Sequence, residues 1–168
     1  MDPTHLHLIL THFPIVGTLI GILILAYGQF AKKKEVKKLA LVLFIVMSLL
    51  TIPVFLSGHE AEETVEHLPG ISEELIESHE ELAEKAIWYM GLLGFVSLIN
   101  LIVLVKKMSY SNILSFITLL VSIVTFSLFA GVGNEGGKIR HSEIRTQTSS
   151  KPTGLHLDSK EEDKGDPD

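Results

Sequence analysis

The chain has 168 residues, 46% of them hydrophobic, a formal charge of −6 and no cysteine. The lack of thiols excludes a disulfide framework, a thiolate metal site and covalent attachment of c-type haem, and the acidic balance gives no electrostatic footprint for nucleic acid. High apolar content coexists with many charges because the two are segregated along the chain.

Four runs nearly free of charge, residues 8–30, 39–57, 87–105 and 112–131, are each long enough to cross a hydrocarbon layer of about 30 Å as a helix. They predict an all-α fold: an integral membrane four-helix bundle over residues 1–145, followed by a polar tail, 146–168, too poor in apolar residues to fold. The first run lacks a basic leading segment and is expected to be a span rather than a cleaved signal peptide. Lys32, Lys33, Lys34, Lys37 and Lys38 fill the first short loop and Lys106 and Lys107 the third, whereas the second loop is rich in Glu. Lysine-rich short loops stay cytoplasmic, so both termini and the Glu/His-rich loop are expected on the extracytoplasmic side.

Taken in order, helix 1 starts near Asp2-Pro3, a capping residue followed by a proline suited to the first turn. His5 and His12 are seven apart and share a face, and Pro14 removes a backbone bond beside His12. Gly17 and Gly21 form a small-xxx-small step for close helix approach. Helix 2 is apolar until Thr51 and Pro53 and is expected to end at Ser57-Gly58. Helix 3 is expected to start well before the membrane: Leu75, His79, Leu82 and Ala86 fall on one stripe that points His79 toward the bundle. Asn100, at mid-membrane, is expected to bridge helices. Ser115, Thr118, Ser122 and Thr125 form a hydroxyl stripe on helix 4, read as a packing face. The glycines between Gly131 and Gly137 are expected to end that helix.

The histidines other than His156 in the tail gather at one side. Counting about 1.5 Å per residue from the lysine-rich ends, His12 lies roughly 28 Å up helix 1, and His5 and His79 near 40 Å. His12, placed in an apolar run beside a proline, and His79, on the inward stripe of an acidic helix, are the first candidate ligands. His67 and His141 follow, and Glu63, four residues before His67, is the candidate carboxylate. Facing imidazoles can ligate haem b iron from both sides, and imidazole with carboxylate suits Fe, Cu, Zn or Mn. The other readings are a non-redox protein that binds or transports a divalent metal, and an accessory subunit whose acidic cap docks a basic partner in a membrane complex. No nucleophile–base pair or phosphate-binding loop points to a hydrolase or transferase.

The segments HLHLILTHFPIVG, GHEAEETVEHLPG, Glu77-Ser78-His79-Glu80 and GGKIRH resemble a bacterial family of uncharacterised four-span membrane proteins with a His-Phe-Pro motif in the first helix, a domain of unknown function. The resemblance runs from Leu6 to Ile144. It implies a four-helix bundle in the cytoplasmic membrane and singles out His12, His67, His79 and His141, with His59 as a departure. Relatives occur beside cytochrome or Rieske-type modules. The resemblance therefore implies haem or a redox metal, a role in electron transfer, and a cytochrome or other redox protein as partner.

Overall fold

A computed structural model of the protein describes residues 3–65 and 73–140. Among these residues the chain forms four helices: α1 (Pro3–Phe30), α2 (Lys34–Val65), α3 (Glu73–Val105) and α4 (Ser111–Arg140). All four are long and apolar enough to cross a membrane, which makes this a multi-pass membrane protein by its helices. The outward faces carry Leu23, Leu49, Phe95 and Ile113, side chains at home against lipid tails. Glu63 belongs to α2, but its side chain, like that of His59, lies outside the described residues, as do His67 and His141.

The helices pack in a ring in which α1 neighbours α2 and α4, and α3 neighbours the same two. Their interior is a cluster of Leu25, Ala40, Phe44, Met47, Ala86, Met90, Leu93, Leu119 and Phe129. Because lipid is as apolar as this core, close van der Waals packing rather than a hydrophobic driving force has to hold the helices together. The small-xxx-small step of α1 does this: Gly21 lies against the Phe44 ring and Gly17 against the Met47 thioether, where a methyl group would have no room.

Between α3 and α4 the seam is polar. The Asn100 amide nitrogen donates to Thr118 at 3.0 Å and to Ser115 at 3.4 Å, so the asparagine does bridge helices at mid-membrane. The α4 hydroxyls bond back to the preceding turn, Ser115 to the Ser111 carbonyl at 2.8 Å and Thr125 to that of Val121 at 2.9 Å, as a packing stripe requires. Thr18 and Ser97, each 0% exposed, have hydroxyls with no hydrogen-bond partner among the described residues.

Two helices run further than the sequence suggests. Helix α2 does not stop at Ser57-Gly58 but continues to Val65, and α4 passes through its glycines to Arg140. Glycine costs a helix about 1 kcal/mol relative to alanine, but here it lets neighbouring side chains in. Leu82 sits over Gly131 and His79 over Gly136, and that packing outweighs propensity. At 33 residues, α3 is about 50 Å long, well beyond a hydrocarbon layer of about 30 Å. Its first turns, carrying Glu73, Glu74, Glu77, Glu80, Glu81 and Glu84, therefore project into the aqueous phase beyond the apolar run 87–105.

At the opposite end the connections are tight. After α1, Lys33 N–H bonds the Gly28 carbonyl at 2.9 Å and Lys32 N–H that of Gln29 at 3.3 Å; after α3, Met108 bonds Val103 at 3.1 Å and Lys107 bonds Leu104 at 3.2 Å. Both are Schellman turns. The left-handed position, with φ of 54° and 57°, is held by Lys32 and Lys107, a conformation that costs about 1–2 kcal/mol for a side chain with a Cβ and nothing for glycine.

Candidate metal centre at the histidine end

The end opposite the lysine turns brings together polar side chains from all four helices. His7 enters from α1. Its Nδ1 donates to the Val54 carbonyl of α2 at 3.1 Å and is 3.2 Å from the Ser57 hydroxyl, which itself donates to the same carbonyl at 2.9 Å. The sequence produces that acceptor. Ser57, three residues on, bonds back to the same carbonyl, so the last membrane turn of α2 presents an oxygen that takes side-chain donors from two helices.

His79 enters from α3, and its Nδ1 donates to the Val132 carbonyl of α4 at 3.2 Å. A carbonyl can only accept, so both rings carry their proton on Nδ1 and present a lone pair at Nε2. Among the described residues neither Nε2 is hydrogen-bonded. Each ring is also seated on a glycine of the neighbouring helix: a Cβ at Gly58 would lie 3.2 Å from the His7 Cε1, and one at Gly136 would lie 3.2 Å from the His79 Cε1.

The two imidazoles are within electrostatic range of one another. On α4, Glu135 pairs with Lys138 at 2.7 Å, and both are largely covered. His79 is half-buried and outside the membrane run. Burial holds its imidazole below the ordinary value, while the Val132 bond and the carboxylates of Glu135 and Glu80 act the other way. The net effect keeps the ring neutral, the form that binds a metal.

The structure places the candidates of the sequence unevenly. His79 points into the bundle, as its stripe indicates. His12 does not meet it: His12 is exposed, its Nδ1 bonded to the Leu8 carbonyl of its own helix at 2.7 Å, on the outward side shared with exposed His5. The inward histidine of α1 is His7, five residues and about 140° around the helix from His12. Helix α1 is apolar on every side, so its pattern does not say which face is inside; Gly58, in a motif beside two other histidines, is the nearest signal. Among the described residues no three His, Asp or Glu side chains converge closely enough to hold a metal ion by themselves.

Two cavities lie near the same half of the bundle. One of about 150 Å³ is lined by Leu10, Phe13, Leu50, Pro53 and Val54, the other of about 470 Å³ by Phe55, Glu84, Ile87, Trp88 and Gly91. Neither touches His7 or His79. Together, fold and site define a four-helix membrane bundle with two inward-facing imidazoles, His7 and His79, toward one end. No family model, curated protein or solved structure matches the chain.

Proposed function

We propose that the protein is a multi-pass protein of the bacterial cytoplasmic membrane that holds a transition-metal centre at its extracytoplasmic mouth and serves electron transfer. The carrying observation is the pair His7 and His79, each with Nδ1–H directed at a carbonyl of the next helix and Nε2 left as a lone pair. Proteins prepare metal-binding imidazoles in this way, because the outer hydrogen bond fixes both tautomer and ring direction. Sidedness follows from the lysine loops at the other end.

Two imidazoles leave coordination positions to fill. His67, His141 and Glu63 are the further donors that the sequence supplies toward this end, whereas outward-facing His12 is not among them. With imidazole and carboxylate donors the ion is Fe, Cu, Zn or Mn. Bis-imidazole ligation of haem b is the other form of the centre. The redox role rests on the resemblance to the family with the His-Phe-Pro motif, which also makes a cytochrome or other redox protein the expected partner. Metal transport is not favoured. Among the described residues the buried polar groups within the apolar runs are hydroxyls such as Thr18, Thr51, Ser97 and Thr125 together with Asn100, none of them ionisable, and buried Lys37 lies outside the run 39–57 at the lysine end, whereas ion paths through membranes carry ionisable groups along their length.

The test is elemental analysis of the purified protein, with absorption spectra in oxidised and reduced states. Bound transition metal lost in His7→Ala and in His79→Ala is the expected result. A haem spectrum with the same dependence assigns the porphyrin form. Protein without metal or haem that also takes up neither overturns the proposal.

A further inference from the structure

At the other end of the bundle, Lys37 is 1% exposed, one of the largest fully buried side chains among the described residues. Its ammonium lies at the junction of three helices, donating to the Asn112 side-chain oxygen of α4 at 2.8 Å and to the Gln29 side-chain oxygen of α1 at 3.0 Å. Gln29 in turn donates to the Asn112 backbone carbonyl at 3.1 Å. Both acceptors of the ammonium are neutral amides. Glu35, the acid nearest in sequence, is paired with Lys38 at 2.8 Å. Buried charges are ordinarily paired with an opposite charge, and among the described residues this one has none.

Around this ammonium the two turns add Lys32, Lys33, Lys34, Lys106 and Lys107, all exposed. The Gln29–Lys37–Asn112 contacts tie the start of α4 to the end of α1, so both turns lie at one corner of the bundle. Each turn carries lysine at the one position where glycine is the easy residue. Charge is retained there against the preference of the backbone. The site is at the depth of lipid headgroups, because the apolar runs of α1 and α4 begin or end within a turn of it.

We propose that this corner binds the phosphate of an anionic phospholipid, with the exposed lysines of the two turns gathering it and Lys37 supplying a fixed positive field beneath. An acidic protein partner would be served by the same charges. A lipid is favoured because the lysines sit at the membrane surface beside exposed Tyr27 and Tyr110, aromatic residues that settle at the headgroup level, and because the cytoplasmic leaflet to which such loops face carries anionic lipid. Membrane-surface lysines each contribute about fivefold in affinity for anionic lipid.

The experiment measures thermal unfolding of the detergent-solubilised protein, titrated with phosphatidylglycerol, phosphatidylcholine or inorganic phosphate. The wild type is compared with a variant carrying Lys33→Gln, Lys34→Gln, Lys106→Gln and Lys107→Gln, and with the control Lys85→Gln at the opposite end. Phosphatidylglycerol is expected to raise the midpoint of wild type and control at concentrations where phosphatidylcholine does not. The four-lysine variant is expected to need at least a hundredfold more. Equal effects of the two lipids, an unchanged response in the four-lysine variant, or equal stabilisation by inorganic phosphate would each overturn the lipid assignment. All four replaced side chains are exposed, and retention of the helical circular-dichroism signal shows that the variant is folded.

Discussion

Replacing Gly136 by alanine separates stability from ligand binding at the histidine mouth. The new methyl would stand 3.2 Å from the His79 Cε1, closer than ordinary van der Waals contact, so the ring has to give by a few tenths of an ångström. The ring is held by one bond of 3.2 Å to Val132, worth about 0.5–1.5 kcal/mol net. Against this, alanine in a helix interior gains about 0.8–1.0 kcal/mol over glycine. The two effects offset, and the unfolding free energy is expected to stay within roughly 0.5 kcal/mol of wild type. Metal affinity does not share the compensation. Displacing a hydrogen bond that orients a ligating imidazole costs about 10–100-fold in affinity. Gly137 is the control, since a Cβ there meets nothing within 4 Å: Gly137→Ala should gain most of that 0.8–1.0 kcal/mol and bind metal as the wild type does. The assay is thermal unfolding followed by helix circular dichroism, with metal titration of the apoprotein against a chelator. If Gly136→Ala stabilises as much as Gly137→Ala and binds metal equally well, the seat of His79 is not what the packing implies.

Other positions give independent checks. Asn100→Leu removes the bridge to Ser115 and Thr118 and is expected to cost about 0.6–1.7 kcal/mol, measured by unfolding in detergent; no loss would mean the amide bonds contribute nothing. Ser97→Ala deletes a buried hydroxyl without a described partner and should leave stability unchanged or raise it by up to about 1 kcal/mol; a marked loss would show that the hydroxyl is satisfied. Acidification tests His79. Its folded-state value is depressed by burial, against the opposing carboxylates of Glu135 and Glu80 and with His7 as a titratable neighbour, so the unfolded state binds the proton more readily. The stability of metal-free protein should be fully present above about pH 6.5 and decline as pH falls through the depressed folded value. In His79→Gln that decline should shrink; an identical pH profile would remove His79 from the explanation.

Parts of this architecture can be read directly from the residues and others cannot, for physical reasons. The four spans, the inward stripe of His79, the Asn100 bridge and the α4 hydroxyl stripe follow from composition and helical spacing. The facing of α1 does not, because a helix apolar on all sides carries no amphipathic signal when its surroundings are lipid and other apolar helices. His7 and His12 are distinguished only by the Val54 carbonyl and Ser57 on α2. Helix ends fail for a related reason. Gly58, and the glycines of α4, read as terminators by propensity, yet Gly58 and Gly136 are the spaces into which the histidines pack. The lysine corner was legible as charge but not as structure, since Gln29, Lys37 and Asn112 come from three helices and none has a partner suggested by spacing.

The most direct test of the central claim is the metal content of protein purified from membranes without chelator, compared with the His7→Ala/His79→Ala double variant. The account predicts a near-stoichiometric transition metal, as ion or as haem iron, in the wild type and its loss in the variant. Wild-type protein that is metal-free and stays so on titration, or a variant that retains its metal, would contradict it.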